Sequence, residues 1–263
     1  MSREADAAAL APPRRRPSPA LARTLIVLAL IPAWEFGARL FGHPAFFTPL
    51  TDIAAAMQAK ILGDPKVVNA IMLTFWELAV AFAMSVGAGL AIGVALGLNR
   101  IARNGMYPIV LLLYAIPQVT VLPLFVLMFG LGPPSKVAFG VSHGVFPIVV
   151  NVLAGMRNIS ELYLQGARSM GATRAQILRH VVFPHMVPSF FAGMRLAMTA
   201  TLLGVLLAEL YVSTGGIGYY TQLFAETFSP SPLFALISVL AAMAIVLNET
   251  VRRAERRFAR WKE

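Results

Sequence analysis

The sequence predicts an all-α integral membrane protein with about six transmembrane helices. Hydrophobic residues make up 58% of the 263-residue chain and charged residues only 13%, a balance far from that of a soluble domain. The apolar residues gather in six segments, and about 20 residues are enough to cross the hydrocarbon core of a bilayer. The predicted spans lie near Leu21–Phe41, Val68–Leu98, Asn104–Phe129, Ser135–Met156, Met186–Val212 and Pro232–Val251.

The first span follows a tail, residues 1–20, that is rich in alanine, proline and arginine and is predicted to be disordered. A basic run before an apolar segment also resembles a signal peptide. The apolar stretch, however, continues to about Phe41, beyond the length of a signal peptide's hydrophobic region, and no good cleavage site follows it. We therefore expect an uncleaved first span within a transmembrane domain of residues 21–257.

Span two contains Gly89, Gly93 and Gly97, spaced four residues apart. Small residues on one face of a membrane helix let a neighbouring helix approach closely. The spacing predicts a packing face, although glycine is common in membrane helices in any case. It leaves open whether the neighbour belongs to the same subunit or to another.

Span three carries Pro108, Pro117 and Pro123, and we expect it to be tilted or broken. Interior prolines free backbone carbonyls, which membrane proteins tolerate where the helix is surrounded by protein or meets water. Broken helices line the pathway in many transporters, so the polar residues near Pro117 become candidates for the lining. Ordinary kinks in a packed helix are the alternative.

A segment rich in charged and capping residues, Glu161–Pro184, separates spans four and five. Asn158 followed by Glu161 predicts a helix start, and Gly171 occupies the place of a glycine that ends a helix. Six residues fall at the spacing of one helix face and predict that this face is apolar. These residues are Ile159, Leu162, Tyr163, Gly166, Ala167 and Met170.

Thr173 and Gln176 form a T-x-x-Q capping box that predicts a second helix, which Pro184 is expected to end. Two short helices joined at a glycine and set between membrane spans are typical of a docking surface for a soluble partner. We assign this surface to residues 158–184.

Basic residues indicate which side of the membrane this surface faces. Of the 22 lysines and arginines, 17 lie in the N-terminal tail, after span two, after span four, or in the basic tail of residues 252–263. Cytoplasmic loops carry the excess of basic residues, so both termini and residues 158–184 are predicted to be cytoplasmic. The net charge of +10 is therefore not a nucleic-acid footprint, because it gathers at span ends rather than along one face.

The loop Ser213–Pro230, which follows span five, is predicted to face outward. It contains glycines and aromatic residues but no lysine or arginine. Its aromatic side chains are expected to rest at the membrane interface. The alternative is a gate that an external protein touches.

Few residues offer catalytic chemistry. The chain has no cysteine, and its four histidines do not pair with acids at metal-ligand spacing, so no metal site is expected. Gly140, Ser142 and Gly144 match the G-x-S-x-G pattern of serine hydrolases. Such a serine needs a nearby base, and we expect the adjacent His143 to point elsewhere on its helix. Packing or lining a pathway is therefore favoured over an intramembrane protease.

Charged residues inside a membrane are costly and usually functional. Arg195 lies about nine residues into span five, where it is expected to reach the cytoplasmic surface or to pair with an acid such as Glu77, and to act in gating. Glu35, Glu209 and Glu249 are expected to lie within reach of an interface. The candidates for lining or gating a pathway are Pro117, Gln118, Thr120, Ser142, His143, Asn151, Arg195 and Glu209.

The segment of residues 158–184 resembles the cytoplasmic motif of bacterial ABC importer permeases, E-A-A-x3-G-x9-I-x-L-P. Gln165-Gly166-Ala167, Gly171 and Val181-x-Phe183-Pro184 fall at that spacing. The chain departs from the motif at Gln165 in place of the glutamate, at Gly166 in place of the first alanine, and at Val181 and Phe183 in place of the isoleucine and leucine. From about Trp34 to Arg257 the chain is similar to the nitrate/sulfonate/taurine group of these permeases. Further matching motifs are Ala115–Pro117, Leu122–Leu124, Gly193–Leu196, Ala208-Glu209 and Gly215–Tyr219.

This resemblance implies a multi-pass subunit of the bacterial cytoplasmic (inner) membrane that works with other proteins. Two permease subunits would form the pathway as a homodimer or heterodimer, a cytoplasmic ABC ATPase dimer would bind ATP and magnesium, and an external solute-binding protein would deliver a small solute. The chain itself would bind no cofactor and would not be an enzyme. The residues implied in ATPase coupling are Gln165, Gly166, Ala167, Gly171, Thr173 and Pro184.

The alternative to an ATP-driven permease is a secondary transporter or channel that needs no ATPase. That class predicts relays of intramembrane acids or an internal repeat. The sequence contains no convincing repeat and few acids near the middle of its spans. Neither reading identifies the transported solute.

Overall fold

The computed structural model describes residues 19–42 and 47–258. That part of the chain is helical and contains no strand, as the sequence predicts. Most of the tail predicted to be disordered, and the last five residues of the basic tail, lie outside the described residues. The helices are α1 (Pro19–Phe41), α2 (Leu50–Ala56), α3 (Pro65–Gly97), α4 (Arg100–Ala115), α5 (Leu122–Phe129), α6 (Pro133–Arg157), α7 (Glu161–Ser169), α8 (Arg174–Ile177), α9 (Phe183–Val212), α10 (Ile217–Glu226) and α11 (Pro230–Phe258).

Four helical segments of the described structure are long and apolar enough to cross a membrane. They are α3, α6, the unbroken segment Arg174–Val212 that contains α9, and α11. The bent pair Arg100–Ala115 and Gln118–Phe129 makes a fifth if it is counted as one span. These segments match predicted spans two to six. Helix α1 occupies the position of the first predicted span but is not in this set.

Helix α6 lies at the centre of the fold and makes its most extensive contacts with α3 and α9. It buries large apolar side chains along its length, including Phe139, Ile148 and Leu153. Lipid tails are as apolar as leucine, so helices in a membrane are held by close van der Waals contact and hydrogen bonds rather than by exclusion of water. The fit of α6 against its neighbours is therefore what the fold depends on.

The glycine face of α3 packs on α6 within this same chain. A methyl group on Gly93 would lie 2.7 Å from Val152 Cγ1, and one on Gly89 would lie 2.7 Å from Ile148 Cβ. Both neighbours are β-branched residues whose side chains have little freedom to move aside. The predicted packing face is confirmed, and its neighbour lies inside the subunit.

Replacing Gly93 by alanine is expected to destabilise the protein by about 1–3 kcal/mol, the usual cost of overpacking. Gly87, on the same helix, is the matched control because a methyl group there would meet nothing within 4 Å. Gly87→Ala should be neutral or slightly stabilising, since alanine favours a helix over glycine. Thermal unfolding of the purified variants in detergent measures both. Equal midpoints for the two variants would contradict this account of the packing.

Span three is broken, as its prolines predict. Helix α4 ends at Ala115, Ile116 and Pro117 adopt extended backbone angles, and α5 follows after a 3₁₀ turn, Gln118–Val121, at an angle of 76°. Pro108 lies inside α4 without ending it, while Pro123 occupies the first turn of α5, where proline is tolerated. The break therefore belongs to Pro117.

Two helices lie where the sequence predicts none. Helix α2 and its π-helical continuation, Met57–Leu62, fill the connection between α1 and α3. The expectation of a loop over Ser213–Pro230 is wrong, because α10 occupies most of it. Ile217 at the start of α10 is fully buried in a core cluster with Ile61 and Leu236, and this packing holds a helix of only ten residues.

Candidate functional site

The first helix of the segment that joins α6 to α9 is capped two residues later than the sequence predicts. Asn158 still belongs to the end of α6, because its N–H donates to the carbonyl of Ala154 at 3.1 Å. The residue that caps α7 is Ser160, whose hydroxyl accepts from the N–H of Leu162 at 3.3 Å. The prediction of Asn158 as the helix start is therefore wrong, while Glu161 does begin the helix.

Gly171 ends α7 in the left-handed conformation, with φ of +78°. Its N–H donates to the carbonyl of Arg168 at 2.9 Å, and the N–H of Ala172 donates to the carbonyl of Ala167 at 3.0 Å. These two bonds satisfy carbonyls that a helix end otherwise leaves unpaired, and a side chain at the glycine position would be strained. The predicted glycine elbow is confirmed.

The predicted capping box is also present. Thr173 Oγ1 accepts from the N–H of Gln176 at 3.3 Å, and Gln176 Oε1 accepts from the N–H of Thr173 at 2.8 Å. Pro184, however, does not end the helix that follows. A π-helical turn, Leu178–Val182, carries α8 directly into α9, and Pro184 lies in the first turn of α9, where its missing N–H disturbs little. Arg174–Val212 is thus one 39-residue helix.

The apolar face predicted on α7 divides into a buried and an exposed part. Ala167 and Ile159 are buried against the rest of the fold. Leu162, Tyr163 and Met170 are 73%, 61% and 84% exposed. We call these three residues the exposed apolar face of α7. The coupling candidates Gln165 and Gly166 are exposed on the same helix, and a methyl group on Gly166 would meet nothing within 4 Å.

Three of the polar candidates in the spans lie together beside the break in span three. Ser142 Oγ lies 3.2 Å from Gln118 Oε1 and 2.7 Å from the carbonyl of Phe139, to which it donates. His143 Nδ1 lies 3.4 Å from Ser142 Oγ, so the expectation that His143 points away from Ser142 is wrong. That nitrogen also lies 3.0 Å from the carbonyl of Phe139. A carbonyl only accepts, so this contact favours the tautomer with a proton on Nδ1, in which that nitrogen cannot remove a proton from Ser142.

The other lining candidates are separate from this group. Pro117 and Thr120 are exposed at the break, and Thr120 donates to the carbonyl of Pro117 at 2.7 Å. Asn151 is half-buried and donates to the carbonyl of Pro147 at 2.8 Å, one turn back on its own helix.

Arg195 pairs with Glu255 of α11, not with Glu77 as the sequence suggested. The apolar part of span six ends near Val251, but α11 continues to Phe258 and carries Glu255 back beside α9. This ion pair ties α9 to α11 near the end of the fold that carries α7. Both side chains are partly exposed.

Glu77 is paired instead with Lys136, a residue the sequence gave no reason to place inside the protein. Lys136 Nζ lies 2.6 Å from Glu77 Oε1, and the two side chains are 4% and 0% exposed. Lys136 also donates to Ser213 Oγ at 3.2 Å and to the carbonyl of Gly215 at 3.4 Å. The start of α6 is thereby joined to α3 and to the connection that follows α9.

Glu209 is fully buried beside this ion pair and does not reach an interface as expected. Its carboxylate accepts from Thr74 Oγ1 at 2.6 Å and from the N–H of Gly218 at 2.8 Å, while Thr74 Oγ1 accepts from the N–H of Ile217 at 2.8 Å. A carboxylate is favourably placed at a helix N-terminus, and these bonds fix the start of α10. We call Thr74, Glu77, Lys136 and Glu209 the buried polar cluster.

Comparison with protein families matches residues 85–260, more than half of the chain, to the model described as binding-protein-dependent transport system inner membrane component. The formylaminopyrimidine transport permease protein ThiX of Halalkalibacterium halodurans is 28% identical over 249 residues, which are 95% of this chain and 99% of the relative. The taurine transport system permease protein TauC of Escherichia coli is 31% identical over 173 residues, 66% of this chain and 63% of the relative.

The fold is similar to a chain in the inward-facing MetNI methionine ABC transporter. The TM-score is 0.62 at 18% sequence identity, over 73% of this chain and 95% of the other. At that identity the similarity concerns the arrangement of helices alone.

Proposed function

Because the chain belongs to the family of binding-protein-dependent transport system inner membrane components, we propose that this transport permease imports a small solute by coupling ATP hydrolysis on a partner to alternating access. The partner is a cytoplasmic ABC ATPase dimer, which binds ATP and magnesium. The sequence of this chain contains no G-x-x-x-x-G-K-[ST] phosphate loop. The permease provides the pathway and the ATPase provides the chemical step.

The observation that carries this proposal is the exposed apolar face of α7 at the base of a long membrane helix. Three large side chains with apolar surface that are more than half exposed support the proposal that a protein partner covers this surface. Gly171 and the Thr173–Gln176 capping box hold α7 at a fixed angle to α8. Since α8 continues into α9, a partner that moves α7 also acts on a membrane span. The implied coupling residues, Gln165 to Pro184, lie along this connection.

The topology that fits this function has six spans, with α1 as the first and both termini in the cytoplasm. The exposed face of α7 then lies on the cytoplasmic side, with the 17 basic residues counted above. A second permease copy completes the pathway, most simply as a homodimer. An external solute-binding protein delivers the solute to the opposite side, where the buried polar cluster fixes α10.

The pathway is proposed to run beside the break in span three. Pro117, Gln118, Ser142 and His143 meet there, and irregular backbone within a membrane is tolerated where it borders a cavity or protein. Asn151, about two helical turns further along α6, is proposed to extend the polar lining. Arg195 acts in gating through Glu255, because their ion pair joins two spans that alternating access would move. Glu209 acts by fixing α10.

The solute is proposed to be a small organic or inorganic compound. The names of two relatives contain formylaminopyrimidine and taurine, and these two compounds differ in charge and size. A secondary transporter or channel remains the alternative function class, and it predicts transport by the purified chain without an ATPase.

Cross-linking in native membranes tests the docking surface, because the chain has no cysteine of its own. Single cysteines at Gln165 and at Ser169, both exposed on α7, are expected to form adducts with a protein that carries a phosphate-binding loop. Mass spectrometry of the adduct identifies that protein.

A cysteine at Gln222, which is exposed on α10 at the opposite end of the fold, is the matched control. It should react with a membrane-impermeant reagent added from outside and should give no adduct with the ATPase. Efficient labelling at Gln165 and Ser169 without any adduct, together with gradient-driven uptake by the chain alone, would support the channel or secondary transporter instead.

A further inference from the structure

A large basic cavity opens behind residues 158–184, which we call the coupling segment. Its volume is about 1140 Å³, and it lies where the ends of α3 and α6 meet the starts of α4 and α8. Five arginines and a single carboxylate, Glu161, contribute to its lining, which gives a formal excess of four positive charges. The arginines are Arg100, Arg103, Arg157, Arg168 and Arg174.

The guanidinium groups of this cavity are only partly paired. Arg100 Nη1 lies 3.3 Å from Glu161 Oε1. Arg103 donates from Nη1 to the carbonyl of Met156 at 3.2 Å, while its buried Nε has no hydrogen-bond partner among the described residues. The guanidinium groups of Arg168 and Arg174 make no hydrogen bond or ion pair within the described part of the chain. Guanidinium groups with free donors bind phosphate well, because their planar fork matches two of its oxygens.

A second, smaller pocket of about 130 Å³ adjoins the basic cavity and is lined by apolar residues alone. Met156, Leu178 and Val182 line both. From this shared wall the small pocket extends along α3 to Val94 and Leu90, one and two turns deeper in the span than Gly97. A basic compartment at the end of the spans thus continues into an apolar compartment within them.

We propose that these two compartments form a binding site for an anionic phospholipid. The headgroup phosphate lies against Arg103, Arg168 and Arg174, and one acyl chain lies along Leu90 and Val94. Basic pockets between membrane helices at the cytoplasmic surface bind anionic lipid headgroups. A soluble anion would leave the apolar pocket unused, and a zwitterionic lipid would leave the excess positive charge unbalanced.

This site extends beyond the proposed transport function and depends on it only for the choice of the inner leaflet. The lipid would lie directly against α7 and α8, since Leu164, Arg168 and Leu178 face the cavity. Occupancy would therefore support the coupling segment from the membrane side.

Native mass spectrometry of the purified full-length chain tests the site. Phosphatidylglycerol is expected to be retained roughly tenfold better than phosphatidylcholine with the same acyl chains, the difference of about one charge-assisted hydrogen bond. The double variant Arg168→Gln with Arg174→Gln should lose that preference, and its fold should be intact because neither arginine side chain bonds to another described residue. Arg179→Gln is the matched control, because Arg179 lies in the same segment but does not line the cavity. It should keep the preference.

A second variant tests the apolar compartment. Val94→Trp fills the small pocket and should lower retention of phosphatidylglycerol by roughly tenfold. If the tryptophan variant does not fold, Val94→Leu fills part of the same pocket and should lower retention in the same direction. Equal retention of the two lipids by the unmodified chain would overturn the proposal. So would full displacement of the lipid by millimolar inorganic phosphate, which would assign the cavity to a soluble anion. These results are independent of ATPase binding.

Discussion

Replacing Lys136 by methionine is expected to lower the free energy of unfolding by about 3–5 kcal/mol, the cost of leaving one member of a buried ion pair without its partner. Lys136 and Glu77 are almost completely buried, with Nζ of the lysine 2.6 Å from Oε1 of the glutamate, and no other basic side chain in the described residues forms an ion pair or hydrogen bond with Glu77. The variant should unfold at a much lower temperature and should give a broad peak in fluorescence-detected size exclusion.

The double variant Lys136→Met with Glu77→Gln removes both charges and should recover most of that loss. Lys66→Met is the matched control, since Lys66 is an exposed lysine on α3 and its replacement should change stability by less than about 0.5 kcal/mol. If the single Lys136 variant is as stable as the Lys66 variant, the ion pair does not hold this end of the fold. If the double variant is no more stable than the single one, the loss has another cause.

Placing aspartate at both Leu162 and Met170 is expected to abolish ATP-driven uptake, with a loss of roughly 100-fold or more. These two side chains are the most exposed of the apolar face of α7, and each anchor of a protein interface contributes about 2 kcal/mol or more. Two buried, unpaired carboxylates would add a further penalty in the complex. Stability of the isolated permease should change little, because both positions are exposed.

Uptake into proteoliposomes that contain the permease, its ATPase and its binding protein measures this effect, and co-purification of the ATPase measures docking directly. Ile101→Asp is the control, because Ile101 is an apolar residue at the same end of the fold that is 85% exposed and lies outside α7. It should retain the ATPase. Normal coupled uptake by the double aspartate variant would remove α7 from the coupling surface.

The features that the sequence predicted well are those that depend on neighbouring residues. Long apolar segments predicted five of the membrane helices, three of them within four residues of both ends. The helix Arg174–Val212, however, begins 12 residues before the predicted start at Met186, and α11 continues seven residues past Val251. Gly171 and the pair Thr173 and Gln176 were predicted because a helix end and a capping box are each complete within six residues. The break at Pro117 has the same local origin, since proline acts on the turn that contains it.

The features that the sequence missed depend on partners that are far apart in the chain. Glu77 and Lys136 are separated by 59 positions, and their separate depths in two spans say nothing about which charges meet. Arg195 finds Glu255 because α11 continues past the apolar part of its span, a length that hydropathy alone does not reveal. Pro184 was wrongly predicted to end its helix, because the π-helical turn that precedes it continues directly into α9.

The unbroken helix from Arg174 to Val212 has a mechanical consequence. At a rise of 1.5 Å per residue its 39 residues form a rod roughly 57 Å long. A tilt of about 5° around one end would move the other by about 5 Å. One end of the rod carries the elbow at Gly171, and the other is anchored by Glu209 to the start of α10. In the proposed transport cycle, a small push on α7 would thus be converted, without any relay of side chains, into a displacement at the far membrane surface.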